Sequence, residues 1–109
     1  EYADDEDAFS KKIYDVIGAG VGIIESVPAA VSIAYYTQDP NKCCLMCANL
    51  GGDTDTIGAM ATAICGAFVG YSKINPEYTE LLRVQNPETD FEEYINILEK
   101  GRELLGCGR

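Results

Sequence analysis

The sequence predicts an all-α fold, and three observations carry that reading. Apolar residues recur at helical spacing in every patterned segment. Helix-start signals precede most of those runs, as Asp39-Pro40, Asn75-Pro76 and Thr89-x-x-Glu92. No Asn-Gly or Asp-Gly turn lies between alternating runs, where a β-hairpin would need one. The chain has 109 residues, 47% hydrophobic and 24% charged, a composition that suits a folded chain with a modest core.

The elements follow in order. Glu1, Asp4, Asp5, Glu6 and Asp7 read as a solvated tail or a frayed helix start, with nothing to order the carboxylates around a cation. Phe9, Ile13, Val16 and Ile17 then mark a helix, and Gly18-Ala19-Gly20-Val21-Gly22 stops it. This loop is no dinucleotide fingerprint: the last glycine of GxGxxG would fall on Ile23, and no strand precedes it. Ser26 and Pro28 predict the next helix start, with the proline in the first turn and the run ending near Thr37. Asp39 and Pro40 open a third helix, from Asn41 to about Leu50.

Gly51-Gly52-Asp53-Thr54-Asp55-Thr56 opens a long fourth helix that runs to about Gly70. Gly58, Thr62, Gly66 and Gly70 form one stripe of small residues, and Ala59, Ala63 and Ala67 a second. Ile57, Met60, Ile64, Phe68 and Tyr71 take the bulkier positions. A helix apolar nearly all round predicts burial at the centre of a fold. So short a chain offers it few partners, which points to helices missing from this sequence. Asn75-Pro76-Glu77 starts a short helix with Tyr78, Leu81 and Leu82 expected inward. Thr89 and Glu92 form a capping-box pattern before a last helix, with Phe91, Tyr94, Ile95 and Leu98 on one face and an end near Gly106. No repeat and no interdomain linker is visible, so residues 1–109 read as part of one domain.

Charge and cysteines exclude several functions. The net charge of −10 argues against nucleic acid, whose phosphates require clustered Lys and Arg. The absence of histidine removes His-based proton transfer and His-ligated zinc from this chain. Cys43, Cys44, Cys47, Cys65 and Cys107 are odd in number and partly adjacent, the pattern of reduced thiols in a cytoplasmic protein. The longest uncharged stretch, Thr56–Ser72, is too short and too rich in Gly and Ala for a membrane span. Cys44-x-x-Cys47 lacks a second pair at matching spacing, so small buried thiols are the better reading than a soft-metal site.

Asp53-Thr54-Asp55-Thr56 is the one site-like feature. At a loop-to-helix junction Asp53 can reach back from the loop while Asp55 and Thr56 project from the first turn. Two carboxylates and a hydroxyl are hard oxygen donors, suited to magnesium, manganese or calcium. Helix capping is the competing explanation, and it accounts for one such residue rather than four. An EF-hand does not fit, because loop positions 5 and 12 would be Ile57 and Ile64.

Glu25-Ser26-Val27-Pro28-Ala29-Ala30, followed by a helix and then by Asn49-Leu50-Gly51-Gly52-Asp53-Thr54-Asp55-Thr56-Ile57, closely resembles the ADP-ribosylglycohydrolase family. That family includes enzymes acting on ADP-ribosyl-arginine and ADP-ribosyl-serine, the dinitrogenase reductase-activating glycohydrolase and the J1 crystallins. The resemblance is specific from about Gly18 to Gly70 and extends to Ile74–Leu82. It implies an all-α bundle holding two divalent cations, Mg2+ or Mn2+. It implies metal ligation by Asp53, Asp55 and Thr56, with Asp55 also catalytic. It implies that Gly18, Gly20 and Val21 line the ADP-ribose site, where Ala19 replaces a polar residue of some relatives.

The implied reaction is metal-assisted cleavage of a glycosidic bond, on an ADP-ribosylated protein or a small ADP-ribosyl compound. Family members are much longer and carry a second metal-binding segment near the N-terminus, which Asp4-Asp5-Glu6-Asp7 does not match. Together with Glu1 in place of Met, this implies the C-terminal part of a larger domain whose N-terminal portion would be its partner. A non-catalytic relative, crystallin-like or binding ADP-ribose, is the alternative.

Overall fold

Asp5 opens the described chain, residues 5–107 of a computed structural model, by capping the first helix. Its carboxylate accepts the Ala8 N–H at 2.9 Å. The acidic run thus ends in a defined cap; Glu1 and Asp4 lie outside the described residues. Helix α1 (Glu6–Lys12) has Glu6 and Asp7 in its first turn and Lys11 and Lys12 in its last, matching the helix dipole at both ends. It continues into a wider π-helical turn, Ile13–Ile17, closed by the Gly18 N–H on the Ile13 carbonyl at 3.0 Å. The wider turn shifts the phase of the apolar pattern. Ile13 is buried and Ile17 half-buried, but Val16, expected inward, is exposed.

Helix α2 (Ile23–Thr37) starts earlier than its proline suggests. The Gly22 carbonyl already accepts the Ser26 N–H at 2.9 Å, so Pro28 lies inside the helix and offers no N–H to the Ile24 carbonyl. The helix ends at Gln38, which takes a left-handed conformation at φ 49°. Asp39 then caps α3 (Pro40–Leu50) by accepting the Asn41 N–H at 2.8 Å. Helix α4 (Thr54–Val69) follows the glycine pair and ends at Gly70.

These three helices build the core. Ala29, Ala30, Ile33 and Ala34 of α2 meet Cys43, Met46, Cys47 and Leu50 of α3 and Ile57, Ala61 and Cys65 of α4. Most of these side chains are small, so the helices approach closely. Ile13 and Ala19 close one end, and Phe9 stacks on Tyr36 with ring centroids 3.9 Å apart. The side chain of Asn41 ties down the following segment. It donates to the Lys73 carbonyl at 2.9 Å and accepts the Asn75 N–H at 2.7 Å.

Helix α4 corrects one expectation. Only the Ile57–Ala61–Cys65 face is buried, whereas Ile64, Phe68 and the following Tyr71 are exposed. Within this unit α2 and α3 supply its main packing, and two neighbouring helices cannot enclose a third.

The chain divides after Asn75 into two units. The second contains α5 (Pro76–Gln85) and α6 (Phe91–Leu104), linked by the Arg83–Glu92 ion pair at 3.3 Å. Two expectations change here. Tyr78, Leu81 and Leu82 are exposed, and neither helix buries a residue. The α6 cap is Asp90, not Thr89: its carboxylate accepts the Glu93 N–H at 3.0 Å, and aspartate outranks threonine at this position. The helix ends at Leu104. All secondary structure among the described residues is helical.

Candidate functional site

The site begins where α3 stops. Gly51 and Gly52 adopt φ of 87° and 72°, the left-handed region that favours glycine, and turn the chain into α4. A Cβ on Gly52 would collide with the Ala19 carbonyl. That close approach lets the Asp53 N–H donate to the Ala19 carbonyl at 2.7 Å. The Gly18–Gly22 loop and the Asp53–Thr56 junction, separate in sequence, therefore meet through a backbone hydrogen bond.

The glycine loop has its own anchor. Glu25, in the first turn of α2, accepts the Gly20 N–H on Oε2 at 2.8 Å. Cβ atoms on Gly18 or Gly20 would lie 2.6 Å from this carboxylate, so the loop wraps it closely. Val21 is 84% exposed, with its side chain toward solvent. Tyr14 lies beside Gly51, its ring 3.4 Å from where a Cβ would stand.

Asp53 occupies the N-cap position of α4, yet its side chain makes no capping hydrogen bond. Asp55 and Thr56 are exposed, and Thr54 is half-buried. Oδ1 of Asp55 accepts the Thr56 N–H at 3.0 Å. A hydrogen bond with the Asp53 carboxyl, aided by the N–H groups of Thr56 and Asp55, holds Asp55 below the usual carboxylate range. Two neighbouring carboxyl groups at one helix start, one of them making no capping bond, fit a hard divalent cation in donor chemistry. They do not complete a coordination shell. No group of three or more His, Cys, Asp or Glu among the described residues could hold a metal ion. Thr56 adds a hydroxyl on the same helix turn.

A shallow groove of about 360 Å³ leads away from Asp55 between α3 and α4, lined by Cys44, Cys47, Ala48, Thr54, Gly58, Ala59 and Thr62. A second hollow of about 330 Å³, between α2 and α4, is almost wholly apolar and includes Val31, Tyr35, Ile64 and Phe68.

The thiols separate by burial. Cys43, Cys47 and Cys65 are buried, while Cys44 and Cys107 are exposed; all five are free. A hydrogen bond between Cys43 and Cys47 raises the pKa of the first and lowers that of the second. Burial raises that of Cys65, whose Sγ lies 3.6 Å from Thr37 Oγ1. Sequence reasoning missed the roles of Glu25 and Tyr14. Glu25 stood in a telling segment, but no spacing rule says that it reaches back to Gly20.

The family model for ADP-ribosylglycohydrolase matches residues 1–105. The uncharacterized protein YegU of Escherichia coli (strain K12) is 50% identical over 102 residues, covering 93% of this chain and 30% of that protein. ADP-ribosylhydrolase ARH3 of Xenopus tropicalis is 36% identical over 80 residues, covering 63% and 23%. ADP-ribosylarginine hydrolase Tri1 of Serratia proteamaculans (strain 568) is 30% identical over 96 residues, covering 76% and 26%. The chain thus spans less than a third of the length of these relatives. No solved structure matches it.

Proposed function

The chain belongs to the ADP-ribosylglycohydrolase family, and we propose that it serves as one part of a hydrolase cleaving the glycosidic bond at the anomeric carbon of ADP-ribose. The substrate would be an ADP-ribosylated protein or a small ADP-ribosyl compound. One observation carries this reading: the Asp53–Ala19 hydrogen bond joins a glycine loop to a carboxylate-bearing helix start. That arrangement suits a ligand with both a sugar to embrace and oxygens to be held through a cation.

Asp53, Asp55 and Thr56 would hold part of a site for two divalent ions, Mg2+ or Mn2+. When bound, such ions supply Lewis-acid stabilisation and orient water. The rest belongs to this chain's own residues. Asp55, exposed at the groove mouth, is assigned the catalytic position. Gly18, Gly20 and Val21 would line the ADP-ribose: side-chain-free backbone permits close approach, and exposed Val21 offers an apolar surface.

The incomplete ligand set and the relatives' greater length support a further portion of the same protein as partner. The apolar hollow between α2 and α4 is the surface we assign to it. No helix among the described residues is long and apolar enough to cross a membrane. Reduced thiols favour a cytoplasmic setting, and the net charge of −10 disfavours nucleic acid.

The test is Asp55→Asn in the full-length protein, with release of ADP-ribose followed in Mg2+ or Mn2+. Loss of divalent-dependent turnover is expected. Unchanged turnover would overturn the assignment, and binding of ADP-ribose without any wild-type turnover would mark a non-catalytic relative.

A further inference from the structure

Glu25 has no part in the site as the sequence presents it, yet it sits at the root of a continuous chain of contacts ending at a candidate metal ligand. Its backbone is held by α2, where the adjacent Ser26 and the next-turn Ala29 are buried. Its carboxylate accepts the Gly20 N–H at 2.8 Å. A charged acceptor makes this bond stronger than a neutral one. Any side chain at Gly18 or Gly20 would occupy the space of that carboxylate, so the loop is shaped around it. Ala19, between the two glycines, is 4% exposed and presents its carbonyl to the Asp53 N–H at 2.7 Å. A Cβ on Gly52 would collide with the same carbonyl oxygen, so the approach requires glycine there. Asp53 has no capping bond to direct its side chain. Its carboxyl neighbours Asp55, and its backbone N–H is held by the Ala19 carbonyl, so a shift of Ala19 moves the point from which the side chain projects.

We propose that Glu25 is a positioning residue for Asp53, acting through the Gly18–Gly20 loop and the Ala19 carbonyl. This rests on the metal-site reading above. A negative charge in the first turn of α2 would also favour the helix dipole. That role requires neither of the two glycines nor any link to Asp53, so the two roles can be separated.

The experiment compares wild type with Glu25→Ala, Glu25→Asp and Glu25→Gln in the full-length protein. Aspartate keeps the first-turn charge but retracts the carboxylate from Gly20; glutamine keeps the reach and the acceptor. Hydrogen exchange is read on peptides covering residues 18–22 and 51–57, and Mn2+ binding is titrated by the spin-resonance signal of the free ion. Alanine and aspartate should speed exchange in both peptides, although Glu25 touches only the first. They should weaken Mn2+ binding by about tenfold, the usual scale for residues supporting a ligand. Glutamine, which keeps the acceptor without the charge, should restore most of both readouts.

Faster exchange confined to residues 18–22, unchanged Mn2+ affinity in the alanine variant, or failure of glutamine to rescue would overturn the proposal. If alanine fails to fold, the aspartate–glutamine pair decides it alone. If wild type binds no Mn2+, the metal reading falls. Exchange at residues 51–57 then still decides whether Glu25 positions Asp53: acceleration rescued by glutamine supports it, and no acceleration overturns it.

Discussion

The unit ending at Asn75 and the unit beginning at Pro76 use the same helical grammar with opposite results. In the first, α2, α3 and α4 share a core in which Ile33, Cys43 and Ile57 are wholly enclosed. In the second, α6 has a clear apolar face in Phe91, Tyr94, Ile95 and Leu98, yet neither α5 nor α6 buries a residue. An apolar stripe states what a helix can bury, while burial itself needs neighbours on that side. The candidate site lies in the unit that has those neighbours, where a packed frame fixes loops to within a hydrogen bond.

Substitutions can sharpen or break this contrast. The largest expected effect on stability is Ile57→Ala, which should cost about 2–5 kcal/mol in urea unfolding, because the side chain is fully enclosed. Leu98→Ala, at a position 73% exposed, should stay within about 0.5 kcal/mol. Equal losses would mean that the two units are not distinct in packing. Gly52→Ala comes next, at about 1–3 kcal/mol for a left-handed backbone that alanine resists, with an added clash on the Ala19 carbonyl. It should also abolish divalent-dependent activity in the full-length protein, and an active, equally stable variant would disconnect the two loops. Asp90→Ala should cost less, about 1 kcal/mol from loss of the α6 cap, seen as reduced helicity at residues 91–94. Thr89→Ala should leave that helicity intact, since the cap lies one residue later.

The contrast also explains what the sequence could disclose. Helix existence was legible because capping residues and apolar periodicity are local: Asp39, the glycine pair and the run after Asp53 all marked real boundaries. The α2 start was misread because Pro28 suits a first turn, whereas here the helix absorbs it several residues in. The π turn hid inside an ordinary apolar pattern, and only its phase shift exposes Val16. Burial around α4 was overestimated because residue types describe a surface, not what covers it. The Asp-Thr-Asp-Thr junction was legible from chemistry. Its attachment to Ala19 was not, since a backbone carbonyl is common to every residue type.

The π-helical turn at Ile13–Ile17 couples chain length to direction. Each of its hydrogen-bonded rings encloses one residue more than an α-helical ring, an i→i+5 closure in place of i→i+4. A one-residue deletion here could be absorbed as ordinary α-helix without breaking the helical run. Everything upstream would then swing about 100° around the helix axis, the rotation one residue contributes. Phe9 would leave Tyr36, while the Gly18 stop and the site beyond it kept their place. The turn is thus a register mark, separating a leading segment that could be re-aimed from a loop that could not.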